Sequence, residues 1–195
     1  IRGLDASTRL LTDFSAQMLT AFETGNDADL LLQAEKMLNL IVGKQSGPDY
    51  KDWNLNGTID DPSDGYGLLL NGEQLGYIEG TRTHADLART SPDATQNMLT
   101  HGEHVQIAVE NVENWTAELR TQLIAILENP TRPDREAIIR QAVALANQIR
   151  TGVDVNGNEN IEPISGEGGA VTAYEHSYYM ADMLILPAAD QTPNP

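Results

Sequence analysis

The sequence predicts an all-α fold, a bundle of about six helices, on three observations. Apolar residues recur at helical spacing through most of the chain, no stretch alternates with period two, and each periodic segment is bounded by Gly, Pro, Asn or Asp. With 195 residues the chain is long enough to take about 70% of its unfolded surface out of water. A single helical domain over residues 1–186 is expected, followed by a loose tail, "PAADQTPNP", at 187–195.

Leu4, Leu11, Phe14, Met18 and Phe22 mark a first helix, which "GND" at 25–27 ends. Asp27 is placed to cap the second, whose apolar face is Leu30, Leu31, Ala34, Met37, Leu38 and Ile41 before Gly43. Beyond a polar loop, residues 68 to about 90 read as a third helix. Gly72, Gly76 and Gly80 would lie along one of its faces, a spacing that suits close backbone packing. "SPDA" at 91–94 starts a fourth, Ser91 as cap and Pro92 in the first turn, where its missing amide costs nothing. Its stripe of Val105, Ala108, Val109, Val112, Trp115, Leu119, Leu123 and Ile126 runs to "ENP" at 128–130. "TRPD" at 131–134 starts the fifth in the same way, and Ile138, Ile139, Ala142, Leu145 and Ile149 carry it to near Gly152. Val171 to Leu186 forms the sixth, with Tyr174, Tyr178 and Met180 expected in the core.

Composition narrows the function. Twelve Lys and Arg stand against 29 Asp and Glu, a formal charge of −17, which repels phosphate backbones and anionic bilayers and excludes nucleic acid as an expected partner. Cysteine is absent, so disulfides, thiolate zinc sites and a cysteine nucleophile are excluded. No apolar run approaches the roughly 18–20 residues of a membrane span. The first residue is Ile1, not Met, from which removal of a signal sequence or of a longer precursor is expected. No nucleophile motif, phosphate-cradling loop or paired catalytic carboxylate stands out, so an enzyme is the less favoured expectation.

The chemistry concentrates in two polar loops. "DWNLNGTIDD" at 52–61 puts oxygen-bearing side chains at alternate positions: Asp52, Asn54, Asn56, Thr58 and Asp60. Ca²⁺ takes six to eight oxygens at about 2.3–2.6 Å, and a loop curled round it turns alternate side chains inward. "DVNGNENIEPISGEGG" at 154–169 repeats the pattern 102 residues on, with Asp154, Asn156, Asn158, Asn160 and Glu162, and Ile161 on Ile59. Upstream, "QAEKMLNLI" at 33–41 lies on "QAVALANQI" at 141–149, Leu11 on Leu119 and Leu19 on Leu127; downstream, Asp64-Gly65 lies on Glu167-Gly168. These matches imply a duplicated helix-helix-loop-helix unit over about 7–80 and 115–183, its copies related by a pseudo-twofold axis.

Each loop resembles the calcium loop of the EF-hand group, particularly its dockerin-like variants, over about a dozen residues. The resemblance implies two Ca²⁺ ions. It implies ligation by the side chains of Asp52, Asn54 and Asn56 and of Asp154, Asn156 and Asn158, by the carbonyls of Thr58 and Asn160, and by Asp60 and Glu162 directly or through water. It also implies that Ile59 and Ile161 tuck into the core. The chain departs from the family at the twelfth position, Ser63 and Ser165, so Asp64 and Glu167 are the expected bidentate acids, and at Glu159, where the family has Gly. Mg²⁺, with its small octahedral shell, suits amide-rich loops less well.

The leading expectation is therefore a secreted, cell-surface or periplasmic calcium-binding structural protein, a subunit of an extracellular assembly, binding calcium and other surface proteins or copies of itself. The alternative is an enzyme or metal-handling bundle with a histidine site. His101 and His104 stand three apart on one helix face, and a third ligand would come from His84 or His176.

Overall fold

In the computed structural model, which describes residues 1–182, six α-helices carry the fold: α1 (Arg2–Glu23), α2 (Asp27–Val42), α3 (Gly76–Arg89), α4 (Gln96–Glu128), α5 (Arg135–Thr151) and α6 (Ala170–Tyr179). Among the described residues there is no strand, and a single isolated bridge joins Asn71 to Gln74. The chain is an all-α helical bundle. The tail and residues 183–186 of the expected sixth helix lie outside the described residues.

Two helical hairpins make the core. α1 packs along α2 and α4 along α5, while α1 also lies on α5 and α2 on α4. Leu4, Leu11 and Met18 of α1, Met37, Leu38 and Ile41 of α2, Val109, Val112 and Leu119 of α4, and Ile139 and Ile149 of α5 form one fully buried cluster. Burying a side chain of this size contributes about 1.5–3 kcal/mol. α3 and α6 both rest mainly on α4, which at 33 residues is the longest helix among the described residues.

The starts of the helices differ from the expected ones. Asn26, not Asp27, caps α2, accepting the amide of Asp29 at 3.3 Å. Ser91 and Pro92 form a separate turn closed by Asp93 and Ala94, and Thr95 caps α4 by accepting from Met98 at 3.3 Å. Pro133 likewise lies outside α5, which begins at Arg135. The largest difference is at α3, which begins at Gly76 and not Leu68. Gly72 and Gly76 have φ of 59° and 68°, left-handed values that glycine adopts freely and a helix cannot propagate. Gly72 is a turn residue and Gly76 the first residue of α3, so the two do not form a helical packing face. Gly76 also has no room for a Cβ, which would fall on the carbonyl of Leu69. The preceding segment is tied in by other means. Leu68 and Leu69 donate to Ile41 O at 2.9 and 3.1 Å, and the free amides of Tyr77 and Ile78 donate to Gly67 and Leu68 carbonyls.

Both long loops leave their helix by the same route. α2 ends at Gly43 (φ 74°) and α5 at Gly152 (φ 80°), each donating back to the fourth residue before it. The next amide then closes the loop, Lys44 N onto Gly65 O at 2.9 Å and Val153 N onto Glu167 O at 3.0 Å. Buried asparagines clamp what lies between. Asn39 of α2 donates to the carbonyls of Lys51 and Asp60, both at 3.1 Å. Asn111 of α4 donates to Ile164 O and Gly168 O at 2.9 and 3.1 Å and accepts from Gly166 N at 2.7 Å.

Candidate metal sites

In the first loop, Asp52 accepts the amides of Asn56 and Gly57 at 3.1 and 2.8 Å, while the side-chain oxygens of Asn54 and Asn56 accept the amides two residues on. In the second, Asp154 accepts the amides of Gly157, Asn158 and Glu159, and Asn156 and Asn158 repeat the two-residue turns. The amide of Glu159 is the main cause of an Asp154 carboxyl held below its ordinary range. Positive φ falls at matching places too, Leu55 and Gly57 in one loop, Gly157 and Glu159 in the other. Glu159 therefore takes the left-handed turn without a glycine, while Leu55 does so with its side chain in water.

Side chains converge within each loop. Asn56 Nδ2 and Thr58 Oγ1 both donate to Asp60, at 2.9 and 3.2 Å. Asn156 and Asn158 both donate to Glu162, at 2.9 and 2.8 Å, and Asn156 reaches Glu167 at 3.3 Å. Asn160 turns its amide back onto Asn158 O and stays apart from that group. Ile59 and Ile161 are exposed at 50% and 40%, so neither tucks into the core as the resemblance implied.

The two late acids part company. Glu167 is fully buried, and its Oε1 accepts the amide of Glu162 at 2.7 Å. Asp64 instead accepts from Tyr66 N and from the Tyr77 hydroxyl, turned toward α3. The acid that enters the first loop is Glu35 of α2, fully buried, accepting the amides of Trp53, Asn54 and Asp60 at 3.0, 2.9 and 2.8 Å. Asp60 and Glu162 are matched positions, so each loop offers the same amide to a buried glutamate, from opposite directions along the chain. Burial pushes the Glu35 pKa up against the pull of those amides, and Asp52 and Asp60 push it further. Asn54 Nδ2, beside it, is buried without a partner. Glu35 was missed by sequence reasoning, although it and Asn39 interrupt the apolar stripe of α2 at a spacing of four.

Comparison with protein-family models, with curated proteins and with solved structures gave no match.

A second cluster lies where α6 crosses α4. His176 Nδ1 is 2.8 Å from His101 Nδ1 and 3.2 Å from His104 Nδ1. All three side chains are half-buried, and among the described residues they are the one group of three or more His, Asp or Glu with ligand atoms drawn together, within 4.8 Å. Burial, then His104 and His101, lower the His176 pKa to about 4; burial, then His101, lowers that of His104. His84 is elsewhere, its Nδ1 2.7 Å from Gly80 O. It borders a mostly apolar cavity of about 410 Å³ with Tyr77, Val105 and Met180. Tyr178 and Tyr179 are exposed and Tyr174 pairs with Tyr178 across the surface, so α6 buries Ala170, Thr172 and Ala173 where aromatic packing was expected.

Proposed function

We propose that the protein is a calcium-stapled helical scaffold of the extracellular space, built from a duplicated helix-helix-loop-helix unit. The observation that carries this reading is the pair of fully buried glutamates, Glu35 and Glu167, each brought to the same backbone position of an oxygen-rich loop. A buried carboxylate is costly unless paired, and a hard cation with oxygen ligands is the partner such donors suit. In the first loop Asp52, Asn54, Asn56 and Asp60 with Glu35 would hold the ion, and the carbonyl of Thr58 would join them. In the second the set is Asp154, Asn156, Asn158 and Glu162 with Glu167, joined by the carbonyl of Asn160. Asp64 falls out of the set because it faces Tyr77.

Each ion joins the exit of one core helix, α2 or α5, to the segment leading into α3 or α6, and so fixes how the third helix of each unit sits. Millimolar calcium outside cells would fill even weak sites constantly, which would make them staples and not signals. No helix among the described residues is long and apolar enough to cross a membrane. A partner would be another surface protein or a further copy of the chain.

Thermal unfolding in excess Ca²⁺ and in EGTA tests this. The expected result is a melting temperature that rises with calcium, a site at 100 times its Kd contributing about 2.7 kcal/mol, with part of the rise lost in Asp52→Ala and part in Asp154→Ala. A melting temperature indifferent to calcium in the unaltered protein would leave the loops as turns only.

A further inference from the structure

We propose that His101, His104 and His176 form a mononuclear site for a divalent first-row transition ion, Zn²⁺ or Cu²⁺, separate from the oxygen-rich loops and independent of them.

The spacing is the first argument. Nitrogens bound to one such ion at about 2.0–2.1 Å, with angles of about 90–110° between them, lie about 2.8–3.4 Å apart. His176 Nδ1 stands 2.8 and 3.2 Å from the Nδ1 atoms of His101 and His104. Each separation also suits an N–H···N hydrogen bond between neutral rings, so the metal-free cluster can hold itself together, and the three ligand nitrogens all lie within 4.8 Å of one another. The rings meet at angles of 35° to 84°, with centroids 4.6 to 5.6 Å apart, so they are not stacked.

The second argument is construction. His101 and His104 share one face of α4, and the start of α4 is tied to the chain beyond α6 by Asn97, whose amide donates to Asp182 O at 2.8 Å. Gly102, between the two histidines, is buried. A Cβ there would press on Arg89 Cβ at 3.0 Å, while Met180 Cε at 3.4 Å stays at ordinary contact distance, so the missing side chain lets the end of α3 settle against α4 beside the cluster. Tyr179 packs beside both His101 and His176, with centroids 5.2 and 5.5 Å away. The site is thus held from two helices and not from a loop.

The third is the chemistry of the donors. The cluster holds no carboxylate, and three imidazoles favour Zn²⁺, Cu²⁺, Ni²⁺ or iron over Ca²⁺ or Mg²⁺. Imidazole must be neutral to ligate, so binding is expected to weaken as pH falls. Three protein ligands leave at least one coordination position to water or to an incoming group, as catalytic zinc sites do.

Calorimetric titration of the EDTA-treated protein with Zn²⁺, in excess Ca²⁺ so that the acidic loops do not compete, tests the site. One Zn²⁺ per chain is expected. Loss even of an outer partner costs 10- to 100-fold in affinity, so His101→Ala, His104→Ala and His176→Ala should each weaken binding by about 100-fold or more. His84→Ala should bind as the unaltered protein does. Absence of Zn²⁺ binding, or binding unchanged in the three variants, overturns the proposal. Should a variant fail to fold, histidine NMR of the unaltered protein decides. Zn²⁺ should shift the ring signals of His101, His104 and His176 and leave those of His84, and the proposal falls if the three do not move.

Discussion

His176 faces His101 and His104 from α4, with Tyr179 beside it, and burial together with those two rings lowers its pKa from the ordinary 6.5 to about 4. His104 is shifted the same way, by burial and His101, against a weaker opposing pull from Glu103. In the unfolded chain these groups bind protons near pH 6.5; in the folded, metal-free chain they resist doing so. The unfolded state therefore holds more protons between pH 6.5 and about 4, and stability falls as pH falls through that window. Asp154 adds a second loss lower down, since its folded pKa lies below the ordinary 3.8. Urea midpoints of the EDTA-treated protein should decline from pH 7 to pH 4.5, and the decline should be shallower in His176→Gln. Equal slopes would mean that the cluster is not the source. The sequence put His101 and His104 on one face but left His84 and His176 equal as third partner. Only the crossing of α6 over α4 separates them, and no local pattern encodes a crossing.

At the scale of elements, periodicity located every helix, and the errors gather where a loop's geometry depends on contacts distant in sequence. Gly76 reads as a helical glycine until Leu69 O is seen against it. Glu35 carries no signal of its own until the loop folds back onto α2. The exit glycine Gly152, set against the loop glycine Gly157, is the sharpest test of how helix and loop are joined. A side chain at Gly152 meets two obstacles, a φ of 80° and the Glu167 carbonyl that receives Val153 N. Gly157, at φ 73°, meets only the first, with nothing within 4 Å. A left-handed L-residue costs about 1–2 kcal/mol and overpacking about 1–3 kcal/mol more. Gly157→Ala should thus destabilise by about 1 kcal/mol and Gly152→Ala by about 3 kcal/mol in urea unfolding. If the two variants match, the loop is not pinned to the helix end as the structure has it.

For the whole molecule the controlling fact is a charge of −17. Self-repulsion of that size weakens the compact state, and any added salt relieves part of it by shortening the screening length from about 10 Å at 0.1 M to about 3 Å at 1 M. A rise in melting temperature on adding Ca²⁺ thus has two sources, screening of the whole surface and filling of the two loops, and ion identity separates them. Screening treats Mg²⁺ and Ca²⁺ at equal ionic strength alike. The loops do not, because Mg²⁺ demands a tight octahedron at about 2.0–2.1 Å and parts reluctantly with its water, whereas carboxylate, amide and carbonyl oxygens on a flexible loop match the larger shell of Ca²⁺. In EGTA-treated protein, NaCl and Mg²⁺ should give a similar modest rise, and Ca²⁺ at the same ionic strength a larger one. The excess should vanish in the Asp52→Ala, Asp154→Ala double variant while the screening part persists. If Ca²⁺ and Mg²⁺ raise the melting temperature equally, the acids act as a diffuse field, and the buried Glu35 and Glu167 are held by backbone and asparagine amides alone.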